Sequence, residues 1–272
     1  QTGRMMIKID PILIKEKPSA VIVYGDTNST LAAALSSSKL NIPVIHIEAG
    51  LRSYDKSSPE EINRVIVDNI SDVCFCPSKY SKANLKNEGI KENVFIVGDV
   101  MYDIFKSNSG KFSIKTNYND YVLLTLHRPA NTEPRVLQSR FNQLSLIREK
   151  IIYPIHPRTR KIIKEYNIQI PKTVTMIDPI GWFELMDLVK GARFIITDSG
   201  GLQKEAFWMK KFCFTIRENT EWIETVDQGV NFLIKDCDVK IEIDKLKNGN
   251  FSNPYGDGNA SKNIVKKIQQ LF

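Results

Sequence analysis

A chain of 272 residues with 42% apolar and 25% charged side chains can build one large or two modest globular domains around a substantial core. No apolar run approaches the ~20 residues a membrane-spanning helix needs, so no membrane contact is expected. The net charge of +7 comes from lysines scattered through helix-like segments, without an Arg-rich block or an aromatic-interleaved basic stripe. That pattern argues against nucleic acid and suits a positive site for a dianionic small substrate.

The four cysteines are Cys74, Cys76, Cys213 and Cys237. Cys74 and Cys76 alternate within an apolar, strand-like run, which sends both side chains to one face and makes them core residues of a reducing, cytoplasmic compartment. His46, His127 and His156 do not pair with cysteine at zinc spacing, so no protein metal site is expected. No secretory signal opens the chain. It starts at Gln1 inside a helix-like stretch over 2–15, and an upstream segment is expected to be missing.

Helix and strand signals then alternate. Strands are predicted over 20–24, 44–47, 73–76 and 94–97, separated by helices over 31–40, 60–70 and 79–88. Between 104 and 120 the composition shifts to Ser, Asn, Lys and Gly, the signature of a linker. The alternation restarts with strands over 121–125, 151–155, 173–177, 194–197, 213–216 and 231–234, and helices over 136–149, 157–166, 182–190 and 203–209. After a turn-rich break at 254–258 an amphipathic helix over 260–271 closes the chain. Such alternation implies α/β architecture with parallel sheets covered by helices on both faces. The expected domains are 1–107 and 108–258, with 259–272 packing back on the first.

Polar clusters fall just past the carboxyl ends of five predicted strands: Gly25-Asp26-Thr27, Glu48, His127-Arg128, His156-Pro157-Arg158 and Asp198-Ser199-Gly200-Gly201. Open α/β sheets bind ligands there, and five such placements favour one cleft between facing domains. The stretch FIITDSGGLQKE reads as strand, glycine turn and helix. Free N–H groups at the helix start, with the dipole behind them, favour an anion, Ser199 adds a hydroxyl donor, and Glu205 is placed to accept from sugar hydroxyls. An ordinary capped turn fits the same residues. Asp26 and Glu48 follow adjacent strands and form a carboxylate pair suited to acid and base work, whereas Asp26 alone reads as an N-cap, Glu60 or Glu61 as a helix N-terminal acid, and His46 as a packed strand residue. No GxGxxG, Walker or nucleophile-elbow sequence is present, so no dinucleotide cofactor is expected.

The blocks VIVYGDTNSTLAAAL, HIEAGLRS, PEEINR, NLKNEGI, VGDVMYD, TLHRPANTE, PIHPRTR, TDSGGLQKEA and RENTEW, in this order, resemble the non-hydrolysing UDP-N-acetylglucosamine 2-epimerases and their relatives acting on UDP-2,3-diacetamido uronic acids. The resemblance runs the length of the chain. It implies two Rossmann-like doubly wound domains facing a cleft, in the manner of GT-B glycosyltransferases, with the first lacking its opening strands, and a homodimer built through that domain. It implies elimination of UDP to a 2-acetamidoglucal followed by re-addition, without NAD or metal. By motif it makes Asp26, Glu48 and Glu60 the catalytic carboxylates and His127 the essential histidine beside the diphosphate. Ser199, Gly200 and Gly201 become the phosphate cradle, Glu205 the ribose contact, and the neighbourhood of Ile180 the uracil pocket. Arg64, Arg128, Arg158 and Arg217 are candidate partners for negative charge, with structural roles equally open. The expected reaction joins UDP-GlcNAc and UDP-ManNAc; a UDP-2,3-diacetamido uronic acid substrate, a hydrolysing variant and an inactive UDP-binding fragment are the alternatives.

Overall fold

The computed structural model describes residues 1–113, 117–234, 246 and 249–272; Cys237 lies outside them. Two compact units are present, one made of Gln1–Ser107 with Asn253–Phe272, the other of Asn108–Ser252. The chain runs through α1 (Thr2–Glu16), β1 (Val21–Tyr24), α2 (Asn28–Lys39), β2 (Val44–Ile47), α3 (Pro59–Ile70), β3 (Val73–Cys76), α4 (Lys79–Asn87), β4 (Val94–Ile96) and α5 (Val100–Asn108). It continues with β5 (Tyr121–Thr125), α6 (Pro129–Thr132), α7 (Pro134–Leu144), β6 (Lys150–Pro154), α8 (Pro157–Glu165), β7 (Val174–Ile177) and α9 (Trp182–Gly191). Then come β8 (Ile195–Thr197), α10 (Gly200–Trp208), β9 (Cys213–Thr215), α11 (Ile223–Asp227), β10 (Asn231–Leu233) and finally α12 (Ala260–Leu271).

In the first unit the described strands form a parallel sheet of order β1-β2-β3-β4. β3 shows why the period of two matters. Cys74 and Cys76 pack with Ala49, Leu85 and Val94 on one face, while Val73 and Phe75 meet Ile45 and Ile264 of α12 on the other. Every residue of β3 is therefore buried. Asp103 of α5 holds α12 in place by accepting from the amides of Ala260 (2.9 Å) and Ser261 (2.7 Å), an anion at a helix N-terminus.

The second sheet has the order β10-β9-β8-β5-β6-β7, again parallel throughout. From β5 the chain winds outward through β6 and β7, then returns to the other side of β5 with β8 and winds out again. The reversal between β5 and β8 opens a crevice beyond their carboxyl ends, where doubly wound sheets take ligands. Its core joins Val122, Leu124, Phe141, Ile151, Phe194, Ile196 and Phe214. The buried Tyr121 hydroxyl donates to the Leu188 carbonyl at 2.7 Å, and a Cβ at Gly191 would lie 2.6 Å from that hydroxyl.

Several boundaries differ from expectation. The segment read as linker from 104 onward begins inside α5, because Asp99 caps that helix by accepting from Met101 N at 2.7 Å and Phe105 is buried on it. Local composition yields to that cap and that contact. The helix expected over 136–149 ends at Leu144, and α6 precedes it, unforeseen. Thr27, not Asp26, caps α2, its hydroxyl accepting from Thr30 N at 3.4 Å. Asp26 is thereby left for other work.

Candidate active site

In the first unit the site begins where β1 and β2 end side by side, with Tyr24 opposite Ile47. Gly25 turns there with φ +66°, and a Cβ on it would stand 3.4 Å from Glu48 Oε2. Glu48 itself holds a left-handed φ of 69°. A non-glycine residue adopts that conformation at a cost of order 1 kcal/mol, so its surroundings must impose it. Asp26 and Glu48 are thus brought to one sheet edge. The Tyr24 hydroxyl hydrogen-bonds Glu48, and its pKa is pushed up by burial and by the charges of Glu48, Asp99 and Asp26.

Asp26 pairs with Arg64 of α3. Arg64 also donates to Glu61 Oε2 at 2.7 Å. Glu61 in turn accepts from Ser53 N and Ser53 Oγ, both at 2.9 Å, and from Tyr54 N at 2.8 Å. Glu60, about 100° further round the helix, is exposed and accepts from Ser58 Oγ at 2.7 Å. Of the two adjacent acids, Glu61 ties down the loop and Glu60 faces solvent.

A buried network lies beneath. His46 Nε2 donates to the Gly25 carbonyl at 2.9 Å and its Nδ1 lies 2.7 Å from Asp68. Asp68 also accepts from the Gly50 amide at 3.1 Å and from Arg52 at 2.6 Å. Arg52 completes a two-pronged bond to Glu88 at 2.7 and 2.6 Å. Burial alone would lower its pKa, but Glu88 and Asp68 outweigh it and push it up. The loops carrying Asp26 and Glu48 are consequently pinned from below by one set of polar bonds.

The second unit holds a pocket of about 270 Å³ at the carboxyl ends of β5, β6 and β8, where His127, His156, Ile180, Ser199, Gly201 and Glu205 meet. The Ser199 amide is spent on Thr197 Oγ1 at 2.9 Å, and Ser199 Oγ accepts from Leu202 N at 3.4 Å as the cap of α10. The Ser199 hydroxyl hydrogen and the amides of Gly200 and Gly201 remain as donors at the helix start. Gly200 lies alongside the ion pair of Arg217 and Glu221 (2.8 Å), within 3.6–3.7 Å of their side chains for an added Cβ.

Asp198, wholly buried, organises the histidine. It accepts from the amides of His127 (3.0 Å) and Arg128 (2.9 Å) and from Asn131 Nδ2 (3.2 Å), and stands 3.0 Å from His127 Nδ1. Burial by itself would raise its pKa, but His127 and the two amides hold it below the ordinary carboxylate value. His127 is left with Nε2 for a ligand. Glu205, 7% exposed, accepts from the Trp182 indole N–H at 2.6 Å. Burial raises its pKa, and Trp182 and Lys204 offset only part of the rise. A helix N-terminus, a histidine and a carboxylate around one apolar-walled pocket can grip a phosphate and hydroxyls together.

Residues 1–269 match the family described as UDP-N-acetylglucosamine 2-epimerase. The chain belongs to this family. A UDP-N-acetylglucosamine 2-epimerase homolog of Methanococcus maripaludis is 45% identical over 294 residues, spanning 100% of this chain and 81% of that relative. The UDP-2,3-diacetamido-2,3-dideoxy-D-glucuronate 2-epimerase of Pseudomonas aeruginosa is 41% identical over 285 residues, spanning 99% and 80%. Among solved structures, the Methanocaldococcus jannaschii UDP-GlcNAc 2-epimerase in complex with UDP-GlcNAc and UDP is similar with a TM-score of 0.90 at 41% identity, over 99% of this chain and 80% of that one. The two parallel sheets are those of the GT-B-like epimerase structures, and the chain is an enzyme of the UDP-sugar 2-epimerase family.

Within this epimerase fold the sequence reading and the geometry part company at a few residues. Arg158 is exposed on α8 and does not line the pocket; its amide donates to His156 Nδ1 at 3.2 Å, leaving the His156 ring in the lining. Arg64 pairs with Asp26 and Glu61, and Arg217 with Glu221, in keeping with the structural role left open for both. Asp198, Trp182 and Tyr24 carry bonds to His127, Glu205 and Glu48 that sequence reasoning did not assign. Asp198 sat in plain view ahead of the glycines. Trp182 had no signal beyond standing two residues after Ile180.

Proposed function

We propose that this epimerase interconverts UDP-GlcNAc and UDP-ManNAc. The C2 proton of the sugar is removed as the C1–O bond to UDP breaks, giving UDP and 2-acetamidoglucal; a proton is then delivered to C2 from the opposite face and UDP adds back at C1. Atoms balance with no external oxidant or reductant. The second unit binds the nucleotide: His127 Nε2, the Ser199 hydroxyl and the amides of Gly200 and Gly201 take the diphosphate, Glu205 the ribose, and the apolar wall at Ile180 the uracil. The first unit supplies Asp26, Glu48 and Glu60 as the acid and base groups. The observation that carries the reading is the pair of carboxylates at one sheet edge, with Glu48 kept in a left-handed backbone beside Gly25 and Asp26 paired with Arg64. Neither strain nor pairing is needed for a simple nucleotide holder.

The test is incubation of the chain with UDP-GlcNAc in heavy water, followed by proton NMR. Deuterium should enter at C2 while UDP-ManNAc accumulates. Thermal protection by UDP with no C2 exchange would refute the catalytic part and leave a binding protein. A second reading keeps the chemistry and changes the sugar to a UDP-2,3-diacetamido uronic acid, since the relative named for that substrate is as similar, at 41%, as one named for UDP-N-acetylglucosamine, at 42%. Faster C2 exchange in that sugar would select it.

A further inference from the structure

Glu205 lies in the pocket lining, whereas Trp182 does not. Yet the indole N–H reaches Glu205 Oε1 at 2.6 Å from the first position of α9. We propose that Trp182 is a positioning residue that makes this pocket selective for a ribose bearing both its 2′ and 3′ hydroxyls. The proposal rests on the reading of the pocket as a UDP site.

An indole N–H can only donate, so it occupies Oε1 and leaves Oε2 and the remaining lone pairs as acceptors. Vicinal hydroxyls offer two donors that a carboxylate meets well only when it is ionised and cannot swing. The indole is itself held by edge-on contacts to Phe112 (5.4 Å, 77°) and Phe183 (5.1 Å, 70°), which restrict its rotation. Burial works against ionisation of Glu205, and the indole bond opposes that. Without it the carboxyl would hold a proton to higher pH and present one acceptor fewer. The consequence is a loss specific to ligands that carry the hydroxyls.

The test measures, by calorimetry, the affinity of UDP and of 2′,3′-dideoxy-UDP for the wild-type chain, for Trp182→Phe, for Glu205→Gln and for the double variant. Trp182→Phe should weaken UDP about tenfold, the scale of one charge-assisted hydrogen bond, and leave the dideoxy ligand within about twofold. The UDP loss should deepen as pH is lowered from about 8 toward the raised pKa of the carboxyl, because the proton now competes more effectively for the carboxylate. In the Glu205→Gln background the tryptophan substitution should add nothing. Equal weakening of both ligands, or an unchanged ratio, would overturn the inference by reducing Trp182 to packing. Should Trp182→Phe fail to fold, ¹⁵N-tryptophan labelling of the wild-type chain decides: one indole proton should lie far downfield, shift with pH and move on addition of UDP but not of its dideoxy analogue. An indole signal indifferent to both ligands would overturn the proposal. If UDP does not bind the wild-type chain at all, the nucleotide reading falls and this inference with it, an outcome distinct from binding that persists with its hydroxyl preference in Trp182→Phe.

Discussion

Replacing Asp198 with Asn changes a single side-chain atom and removes a buried charge. Its two oxygens serve His127 N, Arg128 N, Asn131 Nδ2 and His127 Nδ1 at 2.9–3.2 Å. An Asn can keep Oδ on the amide side only by turning its NH₂ toward the His127 ring, where Nδ1 must then accept rather than donate. Hydrogen bonds to charged groups are worth about 1.5–3 kcal/mol net and neutral ones about 0.5–1.5, so each bond loses about 1 kcal/mol. Part of that is returned because a buried charge no longer has to be desolvated. A net loss of about 2–3 kcal/mol is expected, confined to the second unit. Trp182, Trp208 and Trp222 all lie in that unit, so urea unfolding followed by tryptophan fluorescence reads it directly. The pH dependence separates this account from generic damage. The folded pKa of Asp198 lies below its ordinary 3.8, so its contribution is present above that value and disappears as pH falls through the folded pKa. The gap between wild type and Asp198→Asn should be full at neutral pH and shrink below about pH 4. Equal stability at pH 7, or a gap that persists into acid, would refute the reasoning.

Glu205→Gln should act in the opposite sense. A folded pKa raised above 4.5 means the carboxylate destabilises the fold as pH rises through it, so the variant should be the more stable chain at pH 8, with the advantage fading toward acid in the same fluorescence assay. Arg64→Met strands Asp26 and Glu61 together and should cost the first unit about 3 kcal/mol, seen as an earlier urea transition by far-ultraviolet circular dichroism. Glu61→Gln should cost less, since its amide oxygen can keep the Ser53 and Arg64 bonds and only the Tyr54 amide is left facing the new NH₂. Gly98→Ala meets both a left-handed φ of +93° and the Tyr255 carbonyl 2.9 Å from the new Cβ. About 2 kcal/mol of destabilisation should follow, with faster proteolysis around 253–258 as that segment lifts from β4.

The strands were legible because apolar, β-branched runs bounded by glycine and polar clusters have few other readings, as at Tyr121–Thr125 and Ile195–Thr197. The Ser199-Gly200-Gly201 helix start was equally legible, since the motif is local and its chemistry is that of any helix N-terminus behind a serine cap. Adjacent acids were harder. Glu60 and Glu61 differ by a rotation of about 100° about α3, and which of them meets Ser53, Tyr54 and Arg64 depends on how the helix sits on its sheet. α5 was lost to its composition, because a cap at Asp99 and one buried phenylalanine outweigh a run of Ser, Asn and Lys.

What the sequence by itself determined is the strands and most of the helices, their alternation and the placing of polar clusters at strand ends, all consequences of short-range periodicity and turn chemistry; α5, α6 and α11 were not among them. Tertiary structure alone decided the partners: Asp198 with His127, Trp182 with Glu205, Arg64 between Asp26 and Glu61, and His46 joining the Gly25 turn to Asp68. Apart from the Arg64–Glu61 contact within α3, each of these bonds links residues more than twenty positions apart and satisfies a polar atom that burial would otherwise leave unpaired. Burial is a property of the packed chain, so the demand for those partners arises only once the sheets have formed.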